Sequence, residues 1–261
     1  MNNKMKKIVI IITTFCFVGM IASSIFIIKW NIHVNSNKQI NQRIEELIET
    51  NVKNQRIKKI IETDENKPKN EELVKKDEND YYDINFDELK KMNPDTIGYI
   101  EIPNIDIKYV VVKGNDNSYY LTHNFYKEYN IAGWIFMDYK NKADGTDKNM
   151  VIYGHQMKDG SMFGTLSKLL DEGKMKDNLV INYINEQGRK KYEIFSIYTI
   201  EPEAYYIKTD FTEQEFVKFK ETIKERSLLK VEEELDNKNI LTLSTCQNFG
   251  KKRLAVHAIE I

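Results

Sequence analysis

"NILTLSTCQNFGKKRLAVHAIEI", Asn239–Ile261, is the stretch whose reading decides the fold. Two runs rich in alternating or β-branched residues, Asn239–Thr245 and Arg253–Ile261, flank a short Asn-, Gly- and Lys-containing segment. That is the pattern of two strands joined by a loop. Alternation along "ILTLSTC" sends Leu241 and Leu243 to one face and Thr242, Ser244 and Cys246 to the other. Cys246 therefore closes a strand on its more polar side, and Arg253 opens the next one.

Further upstream the same texture recurs. Short strand-like runs cover Ile97–Ile102, Ile107–Val112, Gly133–Asp138, Asn149–Tyr153, Leu179–Ile184 and Lys191–Ile200, with breaks rich in Gly, Asn and Asp. Helical patterns interrupt them at Ser161–Glu172 and Thr212–Leu229, the second with Phe216, Phe219, Ile223 and Leu228 near one face. "YYDINFDELKKMNPD" reads as a short helix stopped at Pro94, so Asn93–Thr96 is a helix stop and turn. About eight short strands with few helices favour a closed or nearly closed β-barrel over a parallel α/β sheet. The fold class expected is mainly β with helices.

The N-terminus carries the topological signal. Lys4, Lys6 and Lys7 precede Ile8–Ile28, a stretch without a charge that ends at Lys29. Its length matches the roughly 20 residues a helix needs to cross a hydrocarbon core. A cleaved signal peptide would have a shorter apolar core and a small-x-small exit, which the Ala22-Ser23-Ser24 cluster supplies poorly. An uncleaved anchor with its N-terminus in the cytoplasm is the expectation. Beyond it, Ile40, Ile44, Leu47, Ile48, Ile57, Ile60 and Ile61 recur at roughly helical spacing, predicting one or two amphipathic helices over Lys38–Glu62. These form a stalk or pack on the domain C-terminal to them. Thr63–Asp80 is mostly charged and reads as a linker.

Composition excludes several functions. A formal net charge of −1, with 39 Lys+Arg against 40 Asp+Glu, provides no basic stripe for nucleic acid. His33, His123, His155 and His257 are scattered, no HExxH occurs, and Cys16 and Cys246 are too far apart in sequence for a zinc cluster. Without a Walker loop or GxGxxG, no metal or nucleotide cofactor is expected. Nucleophilic catalysis is left. A lone thiol needs a histidine to carry its proton and a positive charge nearby. His155 lies just past an apolar strand that stops at Gly154, which favours it over His123; His257 lies within the last strand, where packing suits it better. Arg253 offers a fork of donors for an oxyanion or a substrate carbonyl. An inert buried Cys246 and a solvated Arg253 remain open on position alone.

These residues resemble a known family. "TLSTC" followed by "RLAVHA" is similar to the sortase signature of a TLxTC strand end and an RxxVxA strand, and "VIYGHQM" resembles its histidine segment. The resemblance covers most of Tyr81–Ile261. It is closest to class B, through "NPDTIGYIEIP", "NIDIKYVVVKGNDNSYYL", and "AYYIKTDF" ahead of the Thr212–Leu229 helix. It implies a sortase-type closed eight-stranded β-barrel, preceded by N-terminal helices and a transmembrane anchor. Residues 1–29 would then be cytoplasmic N-terminus and span, 30–80 helical stalk and linker, and 81–261 the catalytic domain.

By the same resemblance, Cys246 would be the nucleophile, His155 the proton donor and acceptor, and Arg253 the transition-state or positioning residue. Asn117, Leu121, Tyr206, Ile207 and Ser244 would line the groove for the sorting peptide. The implied activity is a membrane-bound, single-pass cysteine transpeptidase. It would cleave an NPxT-like signal of Gram-positive surface proteins after Thr and pass the product to a cell-wall precursor or cross-bridge amine, or a pilin lysine. An anchored cysteine hydrolase and a non-enzymatic surface binding protein are the alternatives. Class B members often carry acidic residues after the cysteine, whereas Gln247 and Asn248 stand here, so no role of such carboxylates transfers.

Overall fold

β-Branched and aromatic runs broken by Gly, Asn and Asp build eight strands in the computed structural model. The structure describes residues 3–63, 84–170, 179–229, 235, 238–247 and 251–261. The strands are β1 Thr96–Ile102, β2 Ile107–Val112, β3 Phe136–Met137, β4 Asn149–Tyr153, β5 Val180–Asn185, β6 Gly188–Ile200, β7 Ile240–Gln247 and β8 Lys252–Glu260. The α-helices are α1 Asn3–Thr63, α2 Phe86–Met92 and α3 Glu213–Glu225. The strands close into one barrel in the order β1-β2-β3-β4-β7-β8-β6-β5. Closure gives every strand two neighbours, although the two-residue β3 meets β2 only at Val112↔Phe136. Two contacts are parallel, β2 with β3 and β4 with β7. The others are antiparallel.

Leu241 and Leu243 point into the barrel core with Ile152, Trp134, Phe163 and Val256. Thr242 and Ser244, on the opposite face of β7 that is the more polar one in the sequence, are also buried. Helix α3 packs on this outer side of the sheet: Phe216, Phe219 and Ile223 join Tyr198, Tyr206, Ile240 and Ala255 in a second apolar cluster. Burying each of those three α3 side chains is worth roughly 1.5–3 kcal/mol. The helix starts at a capping box: Glu215 N–H donates to Thr212 Oγ1 (3.3 Å) and Thr212 N–H donates to Glu215 Oε2 (2.9 Å). It ends at Glu225, four residues short of the Leu229 limit expected from the sequence, and Leu228 is exposed.

α1 runs unbroken from the apolar stretch into the polar one. Its Ile8–Ile28 stretch is exposed, while Val34, Ile40, Ile44 and Ile48 are buried. The second part lies on the barrel: Asn37 Nδ2 donates to Gly133 O (2.8 Å) and Asn41 Nδ2 to Lys108 O (3.0 Å). The linker expected at Thr63–Asp80 falls, past Thr63, outside the described residues. After α2 the chain stops at Asn93 and turns, with Thr96 Oγ1 donating to Asn93 O (2.8 Å).

Two local expectations change. The strand expected at Gly133–Asp138 shortens to Phe136–Met137, because Gly133 takes a left-handed φ of 58° and Trp134 N–H donates to Tyr120 O (2.9 Å). The helix expected at Ser161–Glu172 is a 3-10 segment, Gly164–Leu170, with 171–178 outside the described residues. Its entry is pinned, since a Cβ on Gly164 would lie 2.3 Å from Met157 O.

Candidate active site

β4 and β7 run parallel in the register Val151↔Thr242, Ile152↔Leu243 and Tyr153↔Ser244. Gly154 N–H donates to Ser244 O (3.2 Å), carrying the ladder one residue further. His155 stands two positions beyond Tyr153, and Cys246 two beyond Ser244. On the other side of β7, Cys246 pairs with Arg253 at the start of β8. Three neighbouring strands thus bring His155, Cys246 and Arg253 to one rim of the barrel. Arg253 is partly exposed, and its guanidinium donates to Lys252 O (3.2 Å). The stretch 248–250, within the loop expected between Gln247 and Lys252, lies outside the described residues.

Glycine is required just before the histidine. A Cβ at Gly154 would meet Ile135 Cδ1 at 2.5 Å and Phe163 Cδ2 at 2.7 Å. His155 is then fixed at two points. Its Nε2–H donates to Leu121 O (2.8 Å), and its carbonyl accepts from Phe163 N–H (3.0 Å). The first bond assigns the ring proton of the neutral form to Nε2 and leaves Nδ1 with the lone pair.

Of the expected groove residues, Asn117 and Ile207 line one open groove of about 870 Å³, together with Tyr139, Tyr205 and Phe211. Leu121 lies at the rim, holding His155 through its carbonyl. Tyr206 and Ser244 are buried and joined to each other, Oη to Oγ, at 2.9 Å. His123 stacks on Tyr119, ring centroids 4.0 Å apart, and its Nδ1 bonds Tyr119 O (2.8 Å). Cys16 sits in the exposed apolar part of α1.

Asp138 escaped the sequence reading. Its carboxylate accepts from Tyr153 Oη (2.7 Å), Asn117 Nδ2 (2.8 Å) and Lys140 N–H (2.9 Å). It ties the groove residue Asn117 to the end of β4. Burial, then the Asp138 charge, pushes the Tyr153 hydroxyl well above its usual range, so it stays a donor. No local pattern announces this contact, because its partners lie 15 and 21 residues away.

His257 is fully buried, consistent with packing as its role. Thr242 donates its hydroxyl proton to Asn149 Oδ1 (2.6 Å), so its oxygen accepts from His257 Nδ1–H (2.8 Å). Nε2 then accepts from Tyr198 Oη–H (2.9 Å). Burial, and then the Arg226 charge, holds the ring down to a pKa of about 3. Among the described residues no three His, Cys, Asp or Glu side chains are grouped to hold a metal ion.

A closed barrel whose histidine and cysteine strands run side by side finds its counterpart in one family. The family model described as "Sortase domain" matches residues 100–261. The chain belongs to the sortase family, whose members are cysteine transpeptidases. Within it the similarity is to class B. Sortase B of Listeria monocytogenes is 37% identical over 174 residues, 65% of this chain and 71% of that protein. Sortase B of Staphylococcus aureus is 32% identical over 165 residues, 62% of this chain and 68% of that protein. The crystal structure of sortase B from Bacillus anthracis superposes with a TM-score of 0.69 at 32% identity, covering 88% of this chain and 98% of that one.

Proposed function

We propose that this chain is a membrane-anchored class B transpeptidase that cuts an NPxT-like sorting signal after its threonine and transfers the product to a cell-wall amine. The observation that carries the reading is the rim shared by His155 just past β4, Cys246 near the end of β7 and Arg253 near the start of β8. A Staphylococcus aureus sortase B–substrate complex is similar to this chain, 31% identical with a TM-score of 0.62 over 67% of this chain and 84% of that one, which supports a substrate-binding role for the barrel.

In the reading, Cys246 gives its proton to His155 Nδ1, the ring nitrogen left with the lone pair by the Leu121 bond. The thiolate attacks the threonine carbonyl carbon, and the oxyanion is held by Arg253 and backbone N–H groups. The carbon–nitrogen bond breaks as Nδ1–H protonates the leaving amine, giving a thioacyl enzyme. An incoming amine then attacks the thioester, loses a proton to Nδ1, and expels the Cys246 thiolate. Asn117, Leu121 and Ile207 contact the peptide in this reading, while Tyr206 and Ser244 form the groove floor. The Ile8–Ile28 span holds the enzyme in the membrane with its N-terminus inside and the barrel outside. α1 is the one described helix long and apolar enough for this.

Cys246→Ala is expected to abolish cleavage of an NPxT-type peptide and trapping of a thioacyl adduct; retained cleavage refutes the mechanism. With triglycine added, a ligated product supports transfer, and hydrolysed peptide alone favours the hydrolase alternative.

A further inference from the structure

α1 does not stop where its apolar span stops. The first side chain buried after Ile28 is Val34, six positions on, and no Gly or Pro interrupts 22–63. A helix rises about 1.5 Å per residue, so Val34 lies about 9 Å, and Asn37 about 14 Å, beyond the end of the span. A tilt of about 20° shortens these heights by only a few per cent.

Two latches fasten the catalytic rim to these first turns. In one, Asn130 Nδ2 donates to His33 O (2.8 Å) and Asn37 Oδ1 (2.7 Å), and Asn37 Nδ2 donates to Gly133 O (2.8 Å). The loop between β2 and β3 is thereby held, including Leu121, whose carbonyl orients His155. In the other, Lys38 Nζ pairs with Asp159 Oδ2 at 2.8 Å, holding the turn just after His155. Both segments flanking the histidine are thus tied to α1 within about 15 Å of the span. The opposite end of the barrel is tied far up the helix. Asn51 Nδ2 donates to Glu88 Oε2 (2.6 Å) and Lys90 pairs with Glu186 (2.6 Å) beside the β5–β6 turn. That point lies about 35 Å beyond Ile28.

The exposed residues beside these first turns of α1 fit a membrane interface. Tyr129 is 64% exposed and packs edge-on against His33 of α1 at 5.7 Å. Tyr119 and Leu121 of the same loop are exposed, and Trp30 sits one residue past Lys29. Tyrosine and tryptophan at this depth match the aromatic belt of membrane proteins.

We infer that α1 seats the barrel on the bilayer with the Tyr119–Tyr129 loop against phospholipid headgroups and the His155 rim turned toward the membrane. The enzyme then works on peptide still close to the lipid surface. This rests on the membrane-anchored reading of the Ile8–Ile28 span.

The test uses the full-length chain in nanodiscs containing a headgroup nitroxide lipid. Tryptophan emission added by Tyr129→Trp is expected to be quenched at least about threefold more than that added by Gln187→Trp in the β5–β6 turn. Equal quenching overturns the inference while leaving the anchor intact. Wild-type chain recovered in the soluble fraction of cells overturns the anchor and this inference together. A seven-residue helical insertion after Lys29 lifts the rim by about 10 Å with little rotation. It is expected to lower surface-protein anchoring in cells at least about fivefold while the detergent-solubilised variant still cleaves peptide. Unchanged anchoring counts against the inference, and the quenching comparison decides alone if the insertion disturbs folding.

Discussion

His257 offers a prediction whose size comes from its surroundings. Its ring is fully buried between β6, β7 and α3, with Nδ1–H given to Thr242 and Nε2 accepting from Tyr198. Arg226, just past α3, bonds Tyr198 and is itself paired with Glu203. A second positive charge on the ring would face the Arg226 guanidinium and replace the Nε2 lone pair that Tyr198 uses. Burial together with that charge depresses the pKa from 6.5 to about 3.

The folded state therefore keeps the ring neutral while the unfolded chain takes up a proton below pH 6.5. Stability is lost as pH falls through the unfolded value, at about 1.4 kcal/mol per unit, and the loss ends near the folded value. Between about pH 7 and about pH 5.5 this one group should cost about 1.3 kcal/mol. Urea unfolding followed by the emission of buried Trp134 measures it. His257→Gln keeps a donor but cannot titrate. The variant should be less stable than wild type at about pH 7, by about 1–3 kcal/mol, because one of the two buried partners loses its bond. Its further loss on acidification should be smaller than that of wild type by about 1.3 kcal/mol. His33, His123 and His155 are present in both proteins and cancel. The same pH dependence in wild type and variant refutes the neutral, bridging histidine.

Gly154→Ala should cost about 1–3 kcal/mol, since its methyl has no room beside Ile135 and Phe163, and should cut peptide cleavage because His155 is the next residue. A wild-type urea midpoint and rate would refute the close packing. Asp138→Ala leaves the Tyr153 hydroxyl and the Asn117 amide without their acceptor and should lower the urea midpoint by about 2–3 kcal/mol equivalent. Tyr206→Phe removes the bond to Ser244 and should cost about 1 kcal/mol. If Tyr206 and Ser244 floor the groove, its effect on peptide cleavage should fall on KM more than on kcat.

The barrel and its cysteine strand were legible because alternation in "ILTLSTC" and "RLAVHA" survives folding: Leu241 and Leu243 do face the core. Less legible was the fate of the other face. The apolar stripe of α3 is plain in Phe216, Phe219 and Ile223, but no sequence rule says that it packs with Tyr198, Ile240 and Ala255 on the outer side of β6, β7 and β8. A face that reads as polar is therefore buried, its hydroxyls satisfied by Asn149, His257 and Tyr206. Asp138 was invisible for a related reason, its partners being brought close only by barrel closure. The continuity of α1 was present as a signal, the lack of any helix breaker after Gly19. The change from apolar to charged composition at Lys29 masks that continuity.

The catalytic candidates are scattered in sequence because of the strand directions that gather them. A residue just past the end of β4 and one at the end of β7 can share a rim only if the two strands run parallel; antiparallel pairing would send them to opposite ends. Parallel neighbours need a long crossover, and here it contains β5, β6 and α3. The hairpin from β7 to β8 is antiparallel, so the start of β8 returns to that same rim and Arg253 falls opposite Cys246. One parallel contact and then one antiparallel contact is therefore what places a residue after β4, one at the end of β7 and one at the start of β8 together. The crossover is also used twice: its helix packs on the outer side of β6, β7 and β8 through Tyr198, Ile240 and Ala255, and the segment leading into that helix, Tyr205–Phe211, walls the groove beside the rim.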